Sequence, residues 1–181
     1  MVYCYLANGF EEIEALAPVD LLRRAGVEVK TVGVGGSVIT SSHGIPVFCD
    51  LTEAQALLTD ALDAVILPGG MPGTLNLEKS ANVQAALDFA AANGSFICAI
   101  CAAPSVLGHK GLLDGKEAIA FPGFEKDLIG ATVSEKYVVT DGNIITARGA
   151  GVAVDFGLAI VAVLKDRATA EKIRAAIQCR N

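Results

Sequence analysis

Positive charge is in short supply in this sequence. Fourteen Lys and Arg residues stand against 20 Asp and Glu, a net charge of −6. No basic stripe with interleaved aromatics occurs, so neither nucleic acid nor an anionic membrane surface is an expected partner. Long apolar runs are also lacking: the longest, Gly149 to Leu164, contains Asp155 and is too short to span a bilayer. The opening Met1-Val2-Tyr3-Cys4-Tyr5-Leu6 has no basic segment and no apolar stretch before a small-residue cleavage site, and a signal peptide is not expected. Phosphate-binding loops are missing as well. Gly69-Gly70-Met71-Pro72-Gly73 lacks the Gly-Lys-Ser/Thr ending of a P-loop, and Gly149-Ala150-Gly151 has Val154 where a dinucleotide fingerprint needs its third glycine. No cofactor is therefore expected.

What is present is a chain for one globular domain. Its 181 residues are 52% hydrophobic and 19% charged, rich enough in apolar side chains to bury a core and unlike a disordered composition. A single domain over residues 1–181 is expected, with no repeat, low-complexity tract or linker. Five cysteines (Cys4, Cys49, Cys98, Cys101, Cys179) cannot all pair within one chain, which points to free thiols in a reducing cytoplasm.

Strands and helices alternate, predicting an α/β domain with a mainly parallel sheet. Val2–Ala7 reads as a buried first strand, and Glu11–Ala25 as a helix in which Pro18 predicts a kink or break. After Gly26, Val27–Val34 reads as a second strand and Val38–Phe48 as a hairpin turning at Gly44 and Pro46. Asp63–Pro68 and Ser95–Ile100 are buried strands flanking a helix over Ala81–Ala92, and a further helix is expected over Ala102–Leu113. Tyr137–Ala147 reads as two strands around Asp141-Gly142-Asn143, and helices over Val152–Leu164 and Ala168–Gln178 close the chain.

Sites in open α/β sheets form beyond the carboxyl ends of the strands. Asn8-Gly9-Phe10-Glu11, Pro68-Gly69-Gly70-Met71 and Cys101-Ala102-Ala103-Pro104 all fall there and can converge. In SFICAICAAP a strand runs into Cys101 and a helix follows, the setting of a nucleophile elbow. Free N–H groups at the helix start favour the thiolate, and the Ala102 N–H is placed to hold an oxyanion. The plainer reading is a buried cysteine packing as a small hydrophobe. Cys98 completes a C-x-x-C pattern, but within the strand it is expected to point into the core. The other cysteines and the histidines are too scattered for a zinc site, so no metal is expected.

Glu11 and Glu12 suit the first turn of a helix. Glu14, one turn beyond Glu11, can face the sheet edge where Cys101 emerges. A carboxyl there would have its pKa raised and could hydrogen-bond sulfur or shuttle a proton. Gly70 is either a turn residue or the donor of an N–H into the same pocket. His43 lies in the hairpin and His109 two helical turns past Cys101, so neither is expected to serve as its base.

NGFEEIEALAPVDLLRRAG, AVILPGGMPG, AICAAP and ITARGAGVAVDFGLAIV together resemble the DJ-1/ThiJ/PfpI family over almost the whole chain. The resemblance implies a flavodoxin-like α/β sandwich with helices on both faces of the sheet, usually a homodimer. Its reactive cysteine matches Cys101, its motif glutamate Glu14 and its pocket glycine Gly70. Its basic hairpin position is His43 here, and Arg24 fits another basic position near the subunit contact. This chain departs from the protease-like branches, with Ala102 where they have histidine. Some branches also carry a pocket histidine before a proline, where this chain has Phe121 before Pro122.

The function implied is cofactor-independent glyoxalase or deglycase chemistry on methylglyoxal, glyoxal or their adducts. Cys101 would be the nucleophile, Glu14 the proton carrier, and Gly70 and Ala102 the oxyanion donors. The alternative is a redox-sensing stress protein or chaperone whose Cys101 oxidises to sulfinate. A cysteine peptidase or amidase is a weaker third reading.

Overall fold

Every alternation of apolar run and helix in the sequence feeds one twisted sheet, and the structure, a computed structural model, describes residues 1–179. The sheet has seven strands: β1 (Val2–Leu6), β2 (Val29–Gly33), β5 (Leu51–Thr52), β6 (Ala64–Leu67), β7 (Phe96–Ile100), β10 (Val138–Asp141) and β11 (Ile144–Ala147). Their spatial order is β10-β11-β7-β6-β1-β2-β5. All neighbours are parallel except β10 and β11, which pair antiparallel around the expected turn. The hairpin β3 (Val38–Thr40) and β4 (Pro46–Phe48) stands outside the sheet, as does the short parallel pair β8 (Glu117–Ala118) and β9 (Thr132–Val133).

Side chains on a strand alternate between faces, and here each face finds its own helices. Val2, Cys4 and Leu6 of β1 join the core built with α1 (Glu12–Arg24), α5 (Ala153–Leu164) and α6 (Arg167–Ala176). Tyr3 and Tyr5 join the opposite core, under α2 (Gly73–Lys79), α3 (Ala81–Asn93) and α4 (Pro104–His109). This is the flavodoxin-like sandwich that the resemblance implies. Chain order turns outward in both directions from β1, whose neighbours are β2 and β6. The crevice beyond the carboxyl ends of β1, β6 and β7 is thus a topological switch point.

Several element bounds differ from the sequence reading. Pro18 neither breaks nor ends α1. The second strand is shorter than Val27–Val34, and the last helix starts one residue earlier and ends at Ala176. The helix expected over Ala102–Leu113 is confined to Pro104–His109, because Lys110 caps it and Gly111 follows at φ 76°, the left-handed conformation that stops helices. Helix α2 was not foreseen. It has no capping side chain and only two apolar positions in seven residues, too few to show a helical period. The two-residue strands β5, β8 and β9 are likewise too short to carry a pattern.

Candidate active site

Glu11 is the N-cap of α1, and its carboxylate accepts the Glu14 N–H at 2.8 Å. In a reciprocal capping box the third helical residue would return its own side chain to the cap N–H. Here the Glu11 N–H is taken by the carbonyl of Gly69 at 2.9 Å. That frees Glu14 to turn inward, where it is only 1% exposed and its Oε2 accepts the Gly69 N–H at 2.9 Å. The Gly69 peptide is thereby clamped to the first turn of α1 on both sides. A Cβ on Gly69 would stand 2.7 Å from the Cys101 Cβ and 2.7 Å from Glu14 Oε2, so only glycine lets the three segments meet.

Cys101 follows β7 in a left-handed conformation, φ 65°, uncommon for any residue but glycine. Its N–H continues the sheet ladder to Ala147 O at 2.9 Å, and its carbonyl accepts the Phe121 N–H at 2.8 Å. Held at both ends, the residue turns a half-buried thiol to Glu14, within hydrogen-bonding reach. The amides of Ala102 and Gly70 face the sulfur. Gly70 takes φ 86° to do so, and a Cβ there would meet the Glu11 nitrogen at 2.4 Å.

The electrostatics are those of two acids sharing one buried niche. Burial raises the Glu14 pKa to about 7, against the pull of Cys101 and of the Gly69 and Ala150 amides. Burial, followed by the charge of Glu14 and its hydrogen bond, pushes the Cys101 thiol up to about 12, against the amides of Ala102 and Gly70. The raised carboxyl agrees with the sequence reading. The thiolate expected from the helix start alone does not form beside an ionised Glu14. When Glu14 holds its proton, the opposing charge is gone, and a carboxyl O–H then joins the two amides as a donor to sulfur. With the carboxyl near 7 and the thiol near 12, the pair loses its first proton from Glu14, and the thiol keeps its own beside the ionised carboxylate.

The predicted site residues Cys101, Glu14, Gly70 and Ala102 are therefore brought together. Gly69, Ala150 and Phe121 belong with them and were missed as contributors, since they act through backbone N–H groups. The GGMPG run was the available signal for Gly69, the resemblance placed Phe121 at a pocket position, and Ala150 carries none. Cys98 is fully buried on the α1–α5 face, and burial strongly raises its thiol pKa. The histidines are held elsewhere. His43 is exposed and pairs with Glu12 at 2.9 Å, while His109 closes α4 and pairs with Glu78 at 2.6 Å. Arg24 sits at the far end of α1, paired with Asp20 at 2.7 Å.

Glu11, Glu12 and His43 bring their ligand atoms within 4.8 Å of one another, the only such group among the described residues. The Glu12–His43 pair and the cap made by Glu11 account for it.

The DJ-1/PfpI family model matches residues 1–163. Protein dj-1beta of Drosophila melanogaster is 37% identical over 171 residues, covering 93% of this chain and 91% of the relative. Deglycase PfpI of Pyrococcus furiosus is 34% identical over 148 residues, covering 80% and 87%. Among solved structures, oxidized Toxoplasma gondii DJ-1 superposes with a TM-score of 0.90 at 34% identity, over 98% of this chain and 97% of that one.

Proposed function

The chain belongs to the DJ-1/PfpI family, and on that footing we propose that it is a cysteine-dependent, cofactor-independent enzyme of the glyoxalase and deglycase type, acting on 2-oxoaldehydes such as methylglyoxal and glyoxal and on their adducts. The observation that carries the reading is the buried pairing of Cys101 with a carboxyl whose pKa stands near 7, beneath two amides aimed at the sulfur. A group poised near neutrality both gives and takes protons efficiently.

In this reading the Cys101 sulfur adds to the aldehyde carbon as its thiol proton passes to Glu14. The C–S bond forms and the aldehyde oxygen takes the Glu14 proton, giving a hemithioacetal. The Ala102 and Gly70 amides hold the charge that develops on oxygen. Glu14, now ionised, removes the proton from the former aldehyde carbon and delivers it to the adjacent carbonyl carbon, while the hydroxyl proton passes to the adjacent oxygen. One carbon is oxidised as its neighbour is reduced, so no outside electron acceptor is needed. Water then cleaves the resulting thioester, and the C–S bond breaks to release a 2-hydroxy acid and the thiol.

Methylglyoxal turnover should vanish in Cys101→Ala and fall by about 10²- to 10⁴-fold in Glu14→Gln, the usual worth of a general acid–base. Full activity in Cys101→Ala would sink the proposal.

A second reading is redox sensing, favoured by the carboxyl beside the partly exposed Cys101 thiol, which can hydrogen-bond its oxidised form. Two equivalents of peroxide would carry the thiolate to sulfinate with release of two waters. Mass spectrometry after mild peroxide treatment should find Cys101 modified ahead of Cys49 and Cys179; equal modification of all three removes this reading. Peptidase chemistry has no support here, since both histidines are paired away from Cys101.

We propose, finally, that two copies of the chain pair through the apolar face shared by α1 and the β3–β4 hairpin. A cytoplasmic location goes with this reading of free thiols.

A further inference from the structure

Beside Cys101 lies an open cavity of about 420 Å³ whose walls include Phe121, Tyr137, Arg148, Gly149, Ala150 and Val152. Two of these residues face the reacting pair through the backbone: the Phe121 N–H binds the Cys101 carbonyl, and the Ala150 amide lies toward the Glu14 carboxyl and lowers its pKa. Two walls of the cavity therefore border the niche in which the thiol sits. Its surface is mainly carbon, and its two aromatic walls are unusually open, Phe121 at 47% and Tyr137 at 62% exposure.

The sheet edge supplies the frame. Tyr137 precedes β10 and Arg148 follows β11, and the antiparallel pair brings them together with the Arg148 N–H on the Tyr137 carbonyl at 2.9 Å. The Arg148 guanidinium lies 5.4 Å from the centre of the Tyr137 ring and holds it in place. Phe121 is kept open on its other side because Gly149 has no side chain: a Cβ there would press to 3.2 Å on the ring.

A methyl group would leave this space nearly empty, whereas a cavity of roughly 150 Å³ is enough to hold a benzene ring. We propose that this cavity receives the substituent of the substrate, so that Cys101 acts preferentially on 2-oxoaldehydes bearing an aromatic or branched apolar group, with Phe121 and Tyr137 as the specificity-determining residues. The inference rests on the glyoxalase-type reading for its reaction, but the cavity can be tested apart from the reaction.

Binding is measured first, on Cys101→Ala protein, with the 2-hydroxy acids that such substrates would yield. Mandelate is expected to bind about 10-fold more tightly than lactate, and adding Phe121→Ala or Tyr137→Ala should erase most of that difference. Both side chains are largely exposed, so folding is not at stake. Turnover is measured second: the kcat/KM ratio of phenylglyoxal to methylglyoxal should be about 10 or more in the wild type and fall about 10-fold in each aromatic variant. Equal binding of mandelate and lactate, or a preference untouched by both aromatic substitutions, overturns the inference. Tighter mandelate binding without turnover of either aldehyde supports the cavity assignment and overturns the glyoxalase reading instead.

Discussion

Glu14 is a carboxyl buried at the expense of stability. Its pKa of about 7 in the folded chain stands above its ordinary 4.5, so the native state keeps a proton that the unfolded chain releases between those values. The stability supplied by the neutral carboxyl is complete below about pH 4.5 and is lost as pH rises through 7. The shift corresponds to a loss on the order of 3 kcal/mol at alkaline pH. Glu14→Gln has no proton to lose. It should therefore melt above the wild type at pH 8, with the gap closing toward pH 5, as calorimetry at the two values would record. A glutamine variant with no pH-dependent advantage would contradict the burial argument. The gain in stability should come with the loss of turnover expected above, the trade often seen at active sites.

At the scale of elements, the sequence was most readable where a period had room to repeat. β1, β6 and β7 are runs of consecutive apolar residues, and α1, α3, α5 and α6 all span at least ten residues. The alternation of these segments predicted the parallel sheet, and the strand–cysteine–helix junction singled out Cys101. Glu14 was legible because it lies one helical turn past the cap. The short pieces were not legible. Helix α2, the strands β5, β8 and β9, and the early end of α4 depend on tertiary contacts or on one glycine's backbone angle. The amide of Ala150 was silent for another reason: a backbone N–H looks the same whatever residue bears it, and no turn motif or resemblance pointed to this one. Pro18 misled because its effect on α1 is decided by packing. α5 crosses close beneath it, where a Cβ on Gly157 would lie 2.9 Å from the Pro18 Cα. That contact fixes the helix that carries Glu14.

For the whole molecule, the face to which we assign pairing is the apolar one. Ile13 and Leu16 on α1 are exposed, as are Val38, Ile45 and Phe48 on the hairpin, with Phe48 at 82%. The hairpin is tied to the start of α1 by the Ser42 N–H to the Phe10 carbonyl at 2.7 Å and by the Glu12–His43 pair, so the two apolar groups form one surface. Monomeric proteins rarely leave such a surface in water. Analytical ultracentrifugation should show a dimer that Phe48→Asp converts to monomer with its fold intact by circular dichroism. A wild type that sediments as a monomer at micromolar concentration would refute the pairing.

The clamp around Cys101 also has a consequence in time. Its parts come from residue 14, residues 69–70, residues 101–102 and residue 150, and the ladder bond that seats Cys101 comes from Ala147. A growing chain on the ribosome therefore carries Cys101 as an ordinary thiol until the last of these segments has emerged and docked.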